Sequence, residues 1–401
     1  MRTRFSRQLV SATLFVCAFP ASACFAQHLD VLAQVVDGKL VTGAANYDTN
    51  TWLVGQNVFK RQLLSNFRGN DPGFTTLATG NPLLEPGVSG LASNTDLFFD
   101  ILPSTIVVER ANFWYWDGVD VDQDGFTIDD VDFGFAPPNV TWDVFDDDFD
   151  KHTADGSDTI VPDVLVQESF SNGAVHSHLI LQVDDNDGNA GTTPPEGIYM
   201  TSMVLHADGY EESEPFFFVH RTSGLTNDPR DVAADWVTLN YDKLIRLPGD
   251  YDADDLYTTN DIDLLVGAVA SGDDDPFFDL DGDGVTDNAD LTLWREVAGA
   301  ANNASGGPFL VGDANLDGVV DGQDFIAWNN NKFTDTALWS GGDFTADGIV
   351  DGQDFIAWNN SKFLASDAGV TAVPEPGMAG WFVAALVLGA RRRVAVWFTR
   401  S

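Results

Sequence analysis

The chain has 401 residues, enough for two or three domains, and carries 62 acidic against 20 basic side chains, a net charge of −42. That surplus argues against nucleic acid and anionic membrane surfaces as partners. With 44% hydrophobic and 12% aromatic residues, the composition is globular rather than disordered.

The amino terminus reads as a secretory signal over residues 1–26. Arg2, Arg4 and Arg7 form a basic region, Leu9 to Phe19 an apolar core, and Cys24-Phe25-Ala26 places small residues before a cleavage at Gln27. Both cysteines, Cys17 and Cys24, fall inside this signal. The exported chain would then hold neither a disulfide nor a thiol nucleophile.

Residues 27–247 show short alternating or aromatic segments separated by Gly, Pro, Asn and Asp. The pattern predicts strands at Val31–Val36, Lys39–Ala44, Leu97–Ile101, Asn112–Trp116, Val164–Phe170, Val175–Val183, Gly197–Ala207 and Glu214–Val219. These make an all-β sandwich or jelly roll, with a short helix around Asn50 to Phe67 and a hairpin turning at Asp208-Gly209. The aromatic stretch Phe113 to Trp116 reads either as a strand with one buried face or as a platform for sugar rings.

His176 and His178 share one face of a predicted strand, and His28 and Asp30 have the same two-residue spacing. Imidazoles in this pattern suit Zn2+ or Cu2+, so His28, Asp30, His176 and His178 form a candidate transition-metal set; strand-packing histidines are the alternative. The His-x-Asp opening, interior His-x-His and later Gly-x-Tyr strand resemble certain bacterial surface-anchored β-sandwich domains that carry histidine clusters. Asp120, Asp122, Asp124 and Gly125 begin like a Ca2+ loop, but Ile128 and Val131 stand at the ninth and twelfth positions. Asp129 or Asp130 would have to complete an irregular site. Asp146-Asp147-Asp148 reads as a solvated loop. No Gly-x-Ser-x-Gly, His-Glu-x-x-His or phosphate loop is present, and no catalytic residue is assigned.

The last third carries four acidic loops, and residues 248–372 hold 25 acids against 3 bases. Oxygen side chains recur at positions 1, 3, 5, 9 and 12 of twelve residues, the spacing by which a flexible loop wraps Ca2+. The first loop has Asp250, Asp252, Asp254, Thr258 and Asp261, with Leu256 at position 7 and Asp255 where the turn glycine belongs. The second has Asp279, Asp281, Asp283, Gly284, Val285, Asp287 and Asp290. The third has Asp313, Asn315, Asp317, Gly318, Val319, Asp321 and Asp324. The fourth has Asp343, Thr345, Asp347, Gly348, Ile349, Asp351 and Asp354. Position 7 offers its carbonyl, leaving an apolar side chain to pack inward, and an amphipathic helix follows each loop. Up to four Ca2+ ions are expected, and folding of this region should depend on them.

Gly312 to Phe333 and Gly342 to Phe363 match at 17 of 22 positions, so the late loops form a repeat whose units pack on one another. The string Asp-x-Asn-x-Asp-Gly-x-Val-Asp-x-x-Asp at 313–324 resembles the type I dockerin, a Ca2+-dependent module. The resemblance spans Pro248 to Phe363 as two modules, 248–300 and 301–366, and implies a cohesin-like partner. Gly322-Gln323 and Gly352-Gln353 stand where that family places its partner-contacting residues.

Within residues 367–401, Pro374-Glu375-Pro376 precedes the apolar run Gly377 to Ala390 and then Arg391-Arg392-Arg393. This order resembles the PEP-CTERM sorting signal read by exosortases, and implies transient membrane contact and delivery to the outer surface or matrix of a Gram-negative-type bacterium. The whole therefore reads as a multidomain chain: an all-β sandwich or jelly roll, small α-helical dockerin-like repeats, and a short carboxy-terminal transmembrane sorting helix. The expected function is that of a non-catalytic surface or matrix protein. The alternative is a polysaccharide-binding or polysaccharide-degrading protein tethered by its repeats.

Overall fold

The computed structural model describes residues 29–187, 193–272 and 275–366. The signal segment, His28 and the sorting residues Pro374, Glu375, Pro376, Arg391, Arg392 and Arg393 lie outside the described residues.

The hairpin of strands Ile198–His206 and Phe216–Arg221 forms the middle of a seven-stranded sheet. Gly209 turns it with a φ of 86°, a conformation glycine adopts without cost. Phe216 and Phe218 face one core cluster with Tyr199 and Met203, whereas Phe217 and Val219 face another with Ile198 and Met200. A strand buried on both faces needs a continuous apolar run, which is why Phe216-Phe217-Phe218-Val219 does not alternate. Helix α1 (Asn227–Leu239) covers the second face through Ala233 and Val237, and the single turn α2 (Tyr241–Leu244) follows it.

A six-stranded sheet has the order Val175–Ser177, Phe74–Thr76, Leu29–Val36, Lys39–Asn46 and Thr51–Val54, with Val88–Ser89 also paired to Leu29–Val36. Leu29–Val36 and Phe74–Thr76 run parallel, and Val175–Ser177 runs antiparallel to the latter. The main core joins this sheet to the first through Val31 and Phe74 on one side and Phe59 and Phe99 on the other.

Three sequence-based expectations are corrected here. Residues 50–67 form strands Thr51–Val54 and Val58–Gln62 rather than a helix, because β-branched residues flank Gly55, whose φ is 95°. Val175–Val183 is two strands in different sheets, Val175–Ser177 and Ile180–Asp184. The stretch Phe113 to Trp116 has neither an open face nor a sugar platform: Phe113 lies in the main core and Trp114 and Trp116 in the opposite one.

The second part of the chain carries α3 (Thr259–Ser271), α4 (Asn288–Asn302), α5 (Gly322–Asn331) and α6 (Gly352–Ser361). One apolar cluster, with Ile262, Leu265, Leu291, Trp294, Phe309, Trp339 and Phe344, draws on the surroundings of all four loops. The expected fold class is thereby corrected. The molecule is mostly β, with 21% of it helical. Each acidic loop is followed by a single helix, of 13, 15, 10 and 10 residues in turn, and the rest of each unit is loop. No helix among the described residues is long and apolar enough to cross a membrane.

Candidate metal centres

Each acidic loop is closed by its first and last carboxylates. In the second loop Asp279 accepts from the backbone N–H groups of Gly282 (2.8 Å) and Gly284 (3.0 Å), while Asp290 accepts from Leu280 (2.6 Å), Asp281 (3.1 Å) and Asp287 (2.8 Å). Asp313 and Asp324 repeat this with Gly318 (2.9 Å), Ala314 (2.8 Å) and Asp321 (2.7 Å). Asp343 and Asp354 repeat it with Gly348 (2.9 Å), Phe344 (2.9 Å) and Asp351 (2.8 Å). Asp250 and Asp261 do so with Asp255 (3.0 Å), Tyr251 (2.8 Å) and Thr258 (2.9 Å). Asp255 holds a φ of 60° where the other loops use Gly284, Gly318 and Gly348 at 88°, 83° and 84°. The first loop therefore reaches the same shape without its glycine, since Asp tolerates this region better than most residues.

The ninth position caps the helix that follows. Thr258, Asp287, Asp321 and Asp351 are the N-caps of α3 to α6, and the twelfth-position aspartate closes each capping box. The spacing of the loop thus fixes where the helix starts. Position 7 departs from expectation: Leu256, Val285, Val319 and Ile349 are exposed rather than packed inward. Their N–H groups donate to Asp254, Asp283, Asp317 and Asp347, which ties position 7 to the carboxylate at position 5.

Asp250, Asp261, Asp290, Asp313, Asp324, Asp343 and Asp354 are all buried. Burial, with the field of Asp324 added, pushes the Asp313 carboxyl up to about 7. Burial likewise pushes Asp343 up to about 6, with Asp354 adding to it. Oxygens of Asp250, Asp252 and Asp254 lie within 4.8 Å of one another, as do those of Asp279, Asp281 and Asp290. In the late loops the third position is neutral. Asn315 donates to Asp317 (2.9 Å) and Thr345 to Asp354 (3.0 Å).

A fifth loop has the same closure in eleven residues. Asp120 accepts from Gln123 (2.6 Å) and Gly125 (3.0 Å), and Asp130 from Val121 (3.3 Å) and Thr127 (2.8 Å), with Thr127 capping the short turn Ile128–Asp130. Counting to a ninth and twelfth position misses it by one residue, whereas the Thr127-x-x-Asp130 capping box would have marked it. The solvated reading of Asp146 also fails: it is buried and holds the N–H groups of Asp148 and Asp150 and His152 Nε2 (3.0 Å).

The two late repeats clasp one another. Trp328 Nε1 donates to the Asp351 carbonyl (2.7 Å) and Trp358 Nε1 to the Asp321 carbonyl (2.9 Å). Phe325 and Phe355 meet between them, with ring centroids 6.4 Å apart.

The histidine set converges in the six-stranded sheet. Asp30, on Leu29–Val36, is buried, and its Oδ2 lies 3.8 Å from both His176 Nδ1 and His178 Nε2. The three ligand atoms lie within 4.8 Å of one another. His178 Nδ1 is held by the Asn70 carbonyl at 2.9 Å and lies 3.3 Å from Asp71 Oδ1, which leaves Nε2 turned to the centre. Carboxylates and carbonyls commonly orient metal-bound imidazoles in this way. The Asp71 contact leads the causes that push His178 up to about 9. Gly73 N–H donates to Asp30 Oδ1 (3.1 Å), and Thr75 Oγ1 lies 2.9 Å from His176 Nδ1. Tyr47, Asp71 and Thr75 went unseen in the sequence because strand pairing alone brings them here. A second mixed group joins His206 Nε2 to Asp100 (3.0 Å) and Asp163 (3.7 Å).

The donor sets fit hard cations in the loops and a borderline transition ion at Asp30, His176 and His178. Comparison with family models, with curated proteins and with solved structures finds no match for this chain.

Proposed function

We propose that this is an exported, non-catalytic surface or matrix protein whose four acidic loops hold Ca2+ and whose second part depends on those ions for stability. Burial of seven aspartates at the loop ends carries the reading: Asp250, Asp261, Asp290, Asp313, Asp324, Asp343 and Asp354. Charged groups removed from water in facing pairs are costly, and a cation between them removes the cost. The donors are all oxygen, numerous and set in adaptable loops, which favours Ca2+ over Mg2+. The segment Arg2 to Ala26 supports export, and the run Pro374 to Arg393 supports handling by an exosortase-type enzyme. The dockerin likeness supports a cohesin-like protein as partner of the repeats. No aromatic platform at Trp114 or Trp116 supports polysaccharide as a ligand.

The test is calorimetric titration of the chelator-stripped chain with Ca2+, and thermal unfolding with and without EDTA. Ca2+ should bind at up to four sites and raise the melting of the repeats, with Trp294, Trp328, Trp339 and Trp358 as reporters. Identical melting in EDTA and Ca2+ would overturn the reading.

A second metal reading belongs to the β domain and rests on the convergence of Asp30, His176 and His178. Zn2+ should bind the chain in excess Ca2+, which keeps the acidic loops filled. The double variant His176→Ala, His178→Ala should lose that binding; unchanged Zn2+ affinity would sink the assignment.

A further inference from the structure

We infer that Tyr47 is a fourth ligand of the Asp30–His176–His178 centre, through its phenolate oxygen. The inference rests on the reading of those three residues as a metal centre, and names the donor that completes it. Tyr47 lies just past the strand Lys39–Asn46, on the turn to Thr51–Val54, two strands away from Phe74–Thr76 and three from Val175–Ser177. A side chain there would ordinarily point its hydroxyl into solvent, and Tyr47 is 39% exposed. Its Oη instead turns back over the sheet, 3.0 Å from His176 Nδ1 and 2.7 Å from Thr75 Oγ1.

The atom it reaches decides the matter. His176 Nδ1 is the nitrogen that faces Asp30 Oδ2 at 3.8 Å. Asp30 Oδ2 and Tyr47 Oη thus both approach His176 Nδ1, with His178 Nε2 also 3.8 Å from that Asp30 oxygen. Ligand bonds of roughly 2.0–2.2 Å place neighbouring donors about 3–4 Å apart. The ring is held in place. Trp52 meets it edge-on with centroids 4.9 Å apart and planes at 79°. The turn that carries it is pinned by Thr49 N–H donating to Asn46 Oδ1 at 3.0 Å.

Two imidazoles, a carboxylate and a phenolate make a set for a borderline-to-hard transition ion such as Cu2+ or Zn2+, and not for a soft one. Binding is a ligand exchange. Tyr47 Oη gives its proton to solvent as its oxygen bonds to the ion, and His176 Nδ1 exchanges its hydroxyl contacts for the metal. No electron changes hands.

The experiment uses the full chain, stripped of metal and returned to excess Ca2+, with Cu2+ as the optical probe and Zn2+ as the calorimetric one. The Cu2+ complex should show a visible phenolate-to-copper charge-transfer band. Tyr47→Phe keeps the ring against Trp52, so the circular dichroism should be unchanged while the band disappears. Cu2+ and Zn2+ affinities should fall about tenfold or more. His178→Ala should abolish binding of both. Bound Cu2+ without the band, or equal affinity in Tyr47→Phe, overturns the phenolate ligand and leaves the three-residue centre standing. Absence of Cu2+ and Zn2+ binding in the unaltered chain overturns both.

Discussion

Asp313 is the residue at which the proposed Ca2+ site is most directly tested. It is buried, it closes its loop on Gly318, and it faces the charge of Asp324. Asp313→Asn keeps the size and removes the charge. The substitution should raise the melting temperature of the repeats in EDTA and lower it in Ca2+, as followed by tryptophan fluorescence. A change of the same sign in both media would contradict a metal-binding role. His220 is the counterpart in the β domain. It is fully buried against Trp142 and Phe218, and its Nε2 meets the Asp71 carbonyl at 2.9 Å. Burial, reinforced by Arg61 and Arg230, lowers its pKa to about 4. The unfolded chain therefore takes up a proton near 6.5 that the folded chain refuses until about 4. Stability from this group is full above 6.5 and is lost as pH falls towards 4, on the order of 3 kcal/mol. In His220→Gln that part of the acid sensitivity should vanish from denaturant melts at pH 7, 5.5 and 4.5.

At the level of elements, the loops were legible and the sheet was not. Ligand spacing, capping box and helix start all lie within the sixteen residues from Asp279 to Trp294, so this segment could be read off directly. Even the missing glycine at Asp255 left the shape intact, because an αL aspartate replaced it. Sheet partners are long-range. Nothing near Val175–Val183 announces that Ser177 pairs with Phe74 while Leu181 pairs with Val144. The same distance hid Tyr47 and Asp71 beside Asp30, His176 and His178, of which the sequence offers only the two-residue spacings His28 to Asp30 and His176 to His178. The 120–130 loop was obscured by a single missing residue. Gly342 shows a local choice dictated from afar: its φ is 98°, and an added Cβ would sit 2.6 Å from Trp328 Cα. Gly342→Ala combines left-handed strain with a backbone clash and should cost more than about 1 kcal/mol. Calorimetric unfolding in Ca2+ measures it; a loss within error would mean that the clasp shifts freely.

Across the whole molecule, the β domain and the repeats are tied through backbone carbonyls. Lys243 of α2 donates to the Asp279 carbonyl at 3.0 Å, and the Arg246 guanidinium lies over the Phe277 ring at 5.3 Å. Val108 of the β domain packs against the cluster formed around the loops. A cleft of about 590 Å3 runs along this seam. The second loop is therefore anchored to α2 through the Asp279 carbonyl. The reciprocal tryptophans reach further. Trp328 leaves the third loop's helix to hold the fourth loop at Asp351, and Trp358 leaves the fourth loop's helix to hold the third at Asp321. Each loop is thus fastened by a side chain whose own position depends on the other loop. On the proposed Ca2+ reading the two sites are coupled, so the pair should fill cooperatively, with a Hill coefficient above 1. Trp328→Phe removes one fastening and leaves the ligands in place. Its Ca2+ isotherm should be less steep than that of the unaltered chain, giving the late repeats a more graded response to calcium; an unchanged slope would contradict the coupling.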